Sequence, residues 1–315
     1  MKEPLVSIII PCKTIDEYTQ KCIGECLKLD YSNFEVIVLP DEKSSKSEIK
    51  NRKLKIITSG KVKPAFKRNL GMKQSKANFY AFIDSDAYPE KDWLKNAIKY
   101  FSDKKIGIVG GPNLTPPESN IWEKISGFVY SNFLVSGKAN IRYKRAKNQY
   151  TNELPSCNYI SKKEASSEYD PHFLTAEDSE FCFNCSKKGY KILYAKDVVV
   201  FHHRRDSFKG HLKQVWIYGR DIAWLSKKEP SLDKIYYSIL SIFALGFFAG
   251  LILSFFNKIV GILFLIALLF YIFVMFITGI HTNFKISIYT FITSILTHFT
   301  YGFGFIYGLL SKNRT

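Results

Sequence analysis

Almost entirely apolar segments alternate with segments of helical periodicity along the first half of the chain. The runs LVSIIIP, FEVIVLP and FYAFID have few polar positions, which is typical of strands that are covered on both faces of a parallel sheet. The segments at 18–29 and 65–75 instead place apolar residues at helical spacing. This order predicts an α/β fold with a mixed, mostly parallel sheet flanked by helices.

Polar residues follow three of the predicted strands at the point where each strand ends. They occur at 11–13, 40–42 and 84–86. Ligands of open α/β sheets bind beyond the carboxyl ends of the strands. We therefore expect these three strand ends to line one crevice.

Two aspartates, Asp84 and Asp86, end the run FYAFID and are separated only by Ser85. Alternate residues of an extended chain point to the same side, so both carboxylates can face one point. At about 6 Å two such charges repel by about 3 kcal/mol at an effective dielectric constant of about 20. The spacing therefore predicts a site for Mg²⁺ or Mn²⁺ that holds a diphosphate. A solvated turn is the alternative, because DSDAYP is also good turn chemistry.

Three long apolar runs crowd the last quarter of the chain, at 235–256, 259–278 and 286–310. The first two are long enough to cross a bilayer and carry no charge. The third contains His298 and several glycines, so three alternatives stay open: it spans, it lies at the interface, or its neighbours cover it. The apolar run near the N-terminus is too short for a signal peptide. We expect a multi-pass protein of the cell membrane with its polar part in the cytoplasm.

The formal net charge of +17 falls almost wholly outside the apolar runs. A basic surface of this kind fits anionic lipid headgroups, a phosphate-bearing substrate or nucleic acid. Because the chain carries membrane candidates and no nucleic-acid module, we expect the lipid headgroups and the substrate to be its partners, and no nucleic acid.

Several motifs occur in a fixed order over residues 4–225. They are VSIIIPCK, NFEVIVLPDE, KRNLGMKQSKANFYAFIDSDAYPEKDWL, VGGP, LTAEDSEFCFNCSKKGYKILYAKDVVVFHH and KQVWIYGRD. In this order they resemble the motifs of family 2 glycosyltransferases, which have the GT-A fold. The resemblance implies inverting transfer of a sugar from a nucleotide-diphosphate donor, with the D-x-D motif holding the cation on the diphosphate.

The resemblance also assigns roles to single residues. It implies that Asp41 contacts the nucleobase and that Arg68 faces the nucleotide. The remaining residues that it places at the nucleotide sugar are Pro11, Lys13, Asp84, Ser85 and Asp86. Cys12 and Lys13 replace the small and aromatic residues that the family commonly has after the first strand, so the nucleobase of the preferred donor is left open.

A second acidic motif, TAED, ends in Glu177 and Asp178. The resemblance places the catalytic carboxylates here, with Asp178 as the general base that deprotonates an acceptor hydroxyl. A phosphate acceptor is already ionised and needs no base, so the motif favours a hydroxyl acceptor. His202 and His203 resemble positions where related GT-A enzymes place a histidine near the metal or the phosphates. Adjacent strand residues face opposite ways, so only one of them can face inward, and we expect His203 to be the third metal ligand.

The stretch at 207–225 has the pattern of an amphipathic helix at a membrane interface. Gln214, Trp216 and Arg220 are its candidate residues for the acceptor or the interface. Processive relatives commonly carry Q-x-x-R-W here, and this chain keeps only the glutamine. We therefore expect non-processive transfer.

Taken together, the sequence predicts a GT-A domain at 1–225 and an all-helical membrane domain at 226–315. The expected activity is hexosyl or N-acetylhexosaminyl transfer to a glycan or a lipid-linked saccharide, as in polysaccharide biosynthesis. Two alternatives remain: a polyprenyl-phosphate sugar synthase, and a catalytically silent membrane scaffold with the same fold.

Overall fold

A computed structural model describes residues 3–43, 47–230 and 232–312 of the chain. The chain divides into two compact units. The sheet unit comprises residues 3–117 and 141–203, and the helical unit comprises residues 118–140 and 204–312. The segment 118–140 is therefore an insertion in the sequence of the sheet unit. This division differs from the predicted boundary at 225, because α-helices on both sides of that residue pack together.

Short strands make up the core of the sheet unit. In chain order they are β1 (Val6–Pro11), β2 (Phe34–Leu39), β3 (Leu54–Ile56), β4 (Phe79–Phe82), β5 (Ala87–Pro89), β6 (Ile106–Gly110), β7 (Asn113–Leu114), β8 (Gln149–Thr151), β9 (Tyr159–Lys162), β10 (Lys191–Tyr194) and β11 (Val200–His202).

The main sheet has the order β3-β2-β1-β4-β9-β6-β10-β8. The pairs β3-β2, β2-β1, β1-β4 and β6-β10 are parallel, whereas β9 runs antiparallel to both β4 and β6. The predicted mixed, mostly parallel sheet is confirmed. The strand order reverses direction between β1 and β4, so the ends of these two strands form the crevice expected at such a switch point.

Helices cover both faces of this sheet. They are α1 (Glu17–Leu27), α2 (Pro64–Gln74), α3 (Trp93–Ile98) and α6 (Glu177–Lys187). Alternation along β1 sends Ile8 and Ile10 into the apolar cluster on one face and Ile9 into the cluster on the other. Burial on both faces explains why the strand sequences are almost entirely apolar.

A second, small sheet, β5-β11-β7, lies next to the aspartate pair. Its register sets His202 of β11 opposite Ala87 of β5. The backbone N–H of His203 then donates to the carbonyl of Asp86 at 3.0 Å. The sheet therefore fixes the two histidines relative to the aspartates.

The helical unit contains α4 (Ile121–Ser131), α5 (Phe133–Ser136), α7 (Phe208–Lys228), α8 (Ile239–Ser254), α9 (Lys258–Thr278) and α10 (Phe284–Leu310). Glycines let α7 and α10 approach closely: a Cβ at Gly219 would lie 2.4 Å from the carbonyl oxygen of Tyr301, and one at Gly304 would lie 2.5 Å from that of Trp216. Lys227 of α7 also donates to the carbonyls of Gly308 and Leu309 in the last turn of α10. Neighbouring helices therefore cover one side of the last apolar run, whereas Ile292, Leu296 and Phe303 on this helix are exposed.

The same packing changes the interpretation of the 207–225 helix. Val215 and Leu225 are buried where α7 packs along α10. One side of α7 is therefore covered by protein, because the glycines of the third apolar run let α10 approach it closely. The interfacial position of this helix stays a prediction.

Two helical segments in the described part of the chain are long and apolar enough to cross a membrane. They are Ile235–Ser254 and Lys258–Thr278. Most of their large side chains are exposed in the folded chain, which is unfavourable in water and is consistent with anchoring in a bilayer.

Candidate active site

The ends of β1 and β2 lie together at the carboxyl edge of the main sheet. The carbonyl of Lys13 accepts a hydrogen bond from the backbone N–H of Asp41 at 2.9 Å. Pro11 is the buried last residue of β1, whereas the side chain of Lys13 is exposed. The structure thus brings together Pro11, Lys13 and Asp41 as the sequence predicts.

Asp41 is held by a lysine that the sequence analysis did not select. The ammonium group of Lys67, which is almost completely buried, forms an ion pair with Asp41 and also donates to the carbonyl of Cys12. Lys67 therefore fixes the carboxylate of Asp41 at the ends of the first two strands.

Asp84, Asp86 and His202 form a group of three possible metal ligands. One ligand atom from each residue lies within 4.8 Å of the others. The imidazole Nε2 of His202 is 3.2 Å from Oδ1 of Asp86 and 4.0 Å from Oδ2 of Asp84. All three side chains are half-buried, as is Ser85 between the aspartates. The two carboxylate oxygens suit Mn²⁺ and Mg²⁺, and the imidazole nitrogen is a ligand of transition metals, so the set of three fits Mn²⁺.

The histidine beside the aspartates is His202, whereas the sequence analysis selected His203. Strand alternation puts His202 on the same side of β11 as the buried Val200, and His203 on the other side. The ring of His203 instead packs against Tyr18, with 4.7 Å between ring centroids. The choice of His203 is therefore corrected to His202.

Arg68 joins the aspartate pair to the second acidic motif. Its Nη2 donates to Oδ1 of Asp84 at 2.7 Å, and its Nη1 donates to Oε1 of Glu177 at 3.0 Å. The residue is only 3% exposed. Burial lowers its pKa, but the two carboxylates outweigh burial and keep the pKa above its ordinary value. In this structure Arg68 is a buried bridge between carboxylates, a role that its resemblance-based assignment to the nucleotide did not include.

Glu177 and Asp178 begin α6 and differ in their surroundings. Burial, followed by repulsion from Asp178, raises the pKa of Glu177 to about 8, although Arg68 acts in the opposite direction. Burial, followed by repulsion from Glu153, raises the pKa of Asp178 to about 6. Asp178 is half-buried and Glu177 is buried. Asp178 is therefore the more accessible carboxylate and has a pKa that leaves it ionised as a base near neutral pH.

The loop before β9 contacts Asp178. The backbone N–H of Ser156 lies 3.3 Å from Oδ2 of Asp178. The buried Asn158 fixes this loop, since its amide donates to the carbonyls of Pro112 and Val198 and accepts from the indole N–H of Trp93. No motif in the sequence indicates this contact, because Ser156 and Asp178 meet only when β9 takes its antiparallel place in the sheet.

The remaining predicted residues lie on α7 in the helical unit. Gln214 accepts from the hydroxyl of Tyr130 at 3.4 Å. Trp216 packs near Tyr307, with 5.8 Å between ring centroids. Arg220 pairs with the adjacent, fully buried Asp221. Each of these three side chains has contacts inside the helical unit.

Comparison with known proteins identifies the family. The profile of glycosyl transferase family 2 matches residues 7–168, which is just over half of the chain. The chain belongs to glycosyl transferase family 2. The predicted enzyme class, a glycosyltransferase, is therefore confirmed.

Two archaeal relatives match this glycosyltransferase over most of their length. A dolichyl N-acetyl-alpha-D-glucosaminyl phosphate 3-beta-D-2,3-diacetamido-2,3-dideoxy-beta-D-glucuronosyltransferase of Methanococcus voltae is 28% identical over 260 residues, which is 77% of this chain and 78% of the relative. The glycosyltransferase AglE of Haloferax volcanii is 26% identical over 265 residues, covering 77% and 79% of the two chains.

A solved structure supports the fold of the glycosyltransferase. The mannosyltransferase PcManGT of Pyrobaculum calidifontis, in complex with GDP-Man and Mn²⁺, superposes with a TM-score of 0.53 at 14% identity. The match covers 73% of this chain and 65% of that chain, just under two thirds of the mannosyltransferase. The predicted GT-A fold is thereby confirmed.

The raised pKa of Glu177 predicts a pH-dependent effect of the Glu177→Gln substitution. Folding raises the pKa of this carboxyl from an ordinary 4.5 to about 8, so the folded chain binds more protons than the unfolded chain between these values. The contribution of Glu177 to stability is full below pH 4.5 and is lost as the pH rises through about 8. A glutamine side chain at this position would still accept from Arg68 without carrying a charge.

We expect the melting temperature of the Glu177→Gln variant, minus that of the wild type, to increase as the pH rises from 5 to 8. Thermal unfolding of both proteins in detergent and chelator measures this difference. A difference that stays constant across this pH range would contradict the assignment of the raised pKa to Glu177.

Proposed function

We propose that this chain is a membrane-anchored, metal-dependent, inverting glycosyltransferase. It transfers a sugar from a nucleotide-diphosphate donor to a hydroxyl of a lipid-linked saccharide, in single, non-processive steps. The observation that carries the proposal is the grouping of Asp84, Asp86 and His202 at the carboxyl edge of the sheet, with Asp178 at the start of α6 in the same unit.

The residues at this site fit a divalent cation. Oδ1 of Asp84 is engaged by Arg68, so Oδ2 of Asp84, Oδ1 of Asp86 and Nε2 of His202 remain directed toward one another. A divalent cation bound there would neutralise the charge that develops on the departing nucleoside diphosphate. Asp41, positioned by Lys67, would accept from the nucleobase, and the exposed Lys13 would bind phosphate.

Asp178 is proposed to act as the general base. Its ionised carboxylate would take the proton from the acceptor hydroxyl as the hydroxyl oxygen attacks the anomeric carbon. Attack from the side opposite the diphosphate inverts the configuration. Glu177 would hold Arg68 and thereby Asp84, which makes it a positioning residue.

The acceptor class follows from the base and from one relative. A hydroxyl needs a base, whereas a polyprenyl phosphate does not. The Methanococcus voltae relative is named as a transferase onto a dolichyl-phosphate-linked N-acetylglucosamine, which offers a sugar hydroxyl on a lipid phosphate. We propose an acceptor of the same chemical class for this chain.

The charges that flank the membrane helices support a cytoplasmic catalytic unit. Within about 20 residues of the start of α8 and the end of α9, the sequence contains Arg220, Lys227, Lys228, Lys234 and Lys285. At the opposite end of the hairpin it contains one basic residue, Lys258, the first residue of α9. Lysine and arginine concentrate on the cytoplasmic side of membrane helices. Two spans return the chain to the side on which it entered.

The adjacent histidines provide a matched test of the metal site. Because Nε2 of His202 faces the aspartates and His203 packs against Tyr18, we expect His202→Ala to weaken Mn²⁺ binding by roughly tenfold or more. His203→Ala should change it less than about threefold. Thermal stabilisation across a Mn²⁺ titration measures both affinities, and equal losses in the two variants would argue against His202 as the ligand.

The pH dependence of transfer tests the base. Asp178 must be ionised to accept a proton, and its pKa is about 6, so we expect kcat to rise about tenfold per pH unit below pH 6 and to level off above it. Transfer from a panel of UDP, GDP and dTDP sugars to dolichyl-phosphate-linked N-acetylglucosamine, with Mn²⁺, is the assay.

The control for this experiment is Asp178→Asn. This variant should lose roughly 10²- to 10⁴-fold in kcat, and nucleotide binding with Mn²⁺ should survive. A variant that retains wild-type turnover would exclude Asp178 as the base. A product whose sugar is bonded directly to lipid phosphate would instead establish a polyprenyl-phosphate sugar synthase.

A further inference from the structure

Two apolar side chains of the helical unit point away from its core. Phe133 and Leu134 of α5 are 61% and 40% exposed. The next residue, Val135, is buried in a cluster with Val129 of α4 and Met275 of α9. The short helix α5 is therefore anchored on one side and presents two large apolar residues on the other.

Hydrogen bonds fasten both ends of α5 to the hairpin formed by α8 and α9. At the first end, the amide of Asn132 accepts from the backbone N–H of Leu134 and donates at 3.0 Å to the hydroxyl of Thr278, the last residue of α9. At the other end, the backbone N–H of Lys138 donates at 3.1 Å to the hydroxyl of Tyr236, which precedes α8.

Gly137 makes the second of these contacts possible. It has a φ of 52°, in the left-handed region, and the Tyr236 hydroxyl lies only 1.4 Å from where a Cβ would be. Any side chain at this position would displace Tyr236. The attachment of α5 to the start of α8 is thus specific to the sequence at 137.

The start of α8 and the end of α9 lie at the same end of their hairpin. Ring pairs between the helices show the antiparallel arrangement: Phe243 lies 5.0 Å from Tyr271, and Phe247 lies 5.6 Å from Phe264. If α8 and α9 span the bilayer, as proposed above, α5 is held at the level where the chain enters and leaves the membrane.

We propose that Phe133 and Leu134 form a wedge that inserts into the headgroup and upper acyl region of the bilayer. The partner is lipid, because α5 is hydrogen-bonded to both segments at one end of the apolar hairpin, where Ile235 and Ile239 of the hairpin are also exposed. The exposed Lys138 follows the wedge, and its ammonium group suits anionic headgroups.

The wedge changes how the sheet unit is attached to the membrane. The segment 118–140 is an insertion in the sequence of that unit. If the wedge inserts, the chain of the sheet unit is connected to membrane-bound segments on both sides of this insertion, in addition to the connection at Arg204.

Nitroxide accessibility tests the wedge in the full chain. Spin labels are attached to Phe133→Cys and, in a second variant, to Leu134→Cys, in nanodiscs of phosphatidylcholine and phosphatidylglycerol, and collision rates with oxygen and with a water-soluble nickel chelate are compared. The six native cysteines are buried, and unsubstituted protein measures their background labelling. Phe270→Cys, at a 67% exposed position of α9, and Tyr150→Cys, at a 54% exposed position of the sheet unit, are the membrane and water references.

We expect labels at 133 and 134 to favour oxygen, at a depth of about 5–10 Å below the phosphates, while the label at 150 favours nickel. Tyr236→Phe, which removes the hydrogen bond to Lys138, should make the label at 133 shallower. A label at 133 that favours nickel as strongly as the one at 150, while the label at 270 favours oxygen, would overturn the wedge and leave the membrane anchor intact.

Two other outcomes would also overturn the inference. Labels at 133 and 134 that neither reagent reaches would show that protein, such as a second copy of the chain, covers this surface. A label at 270 that favours nickel would overturn the membrane anchoring itself, and the wedge with it, without bearing on the metal site of the sheet unit.

Discussion

The candidate active site depends on how the negative charge of four carboxylates near the carboxyl edge of the sheet is compensated. These carboxylates are Asp84, Asp86, Glu177 and Asp178. Like charges in a half-buried site repel strongly, so they persist only where cations or protons offset them. Arg68 supplies a permanent positive charge to Asp84 and Glu177. Burial moves the pKa values of Glu177 and Asp178 upward, so that protons compensate part of the rest.

Arg68 compensates the four carboxylates unequally, since it pairs with Asp84 and Glu177 only. Arg68 occupies one oxygen of Asp84 and leaves the other directed toward His202 and Asp86. A divalent cation bound among those atoms would offset the charge of the two carboxylates. Asp178 lies farther along the acidic motif, is partly accessible, and has a pKa suited to proton transfer near neutral pH. In the proposed function, Arg68 therefore links the aspartates that would bind the metal to the acidic motif that contains the base.

Much of this arrangement could be predicted from residue order. The alternation of apolar runs with helical segments predicted the sheet, and the D-x-D and TAED motifs identified the four carboxylates. Alternation along VVVFHH could also have selected His202, because it shares a strand face with the buried Val200. The bridge made by Arg68 could not be predicted, since Arg68 and Glu177 are 109 positions apart and meet through packing that a linear pattern does not encode.

In the helical unit, too, the sequence does not identify which residues pack against each other. The glycines of the third apolar run indicated a departure from a simple span, but only their close approach to α7 shows that protein covers them. Similarly, hydrogen bonds to Thr278 and Tyr236, from Asn132 and Lys138 at the two ends of α5, place this short helix at the end of the helical hairpin. In both cases the partner residues lie far along the chain, so local periodicity does not identify them.

The central claim is that Asp84, Asp86 and His202 hold a cation against a nucleoside diphosphate. Pulsed electron paramagnetic resonance of Mn²⁺ bound to the full chain with UDP or GDP tests it most directly. The account predicts ¹⁴N coupling that disappears in His202→Ala, together with ³¹P coupling from the diphosphate. A spectrum of fully hydrated Mn²⁺, with neither coupling, would contradict it.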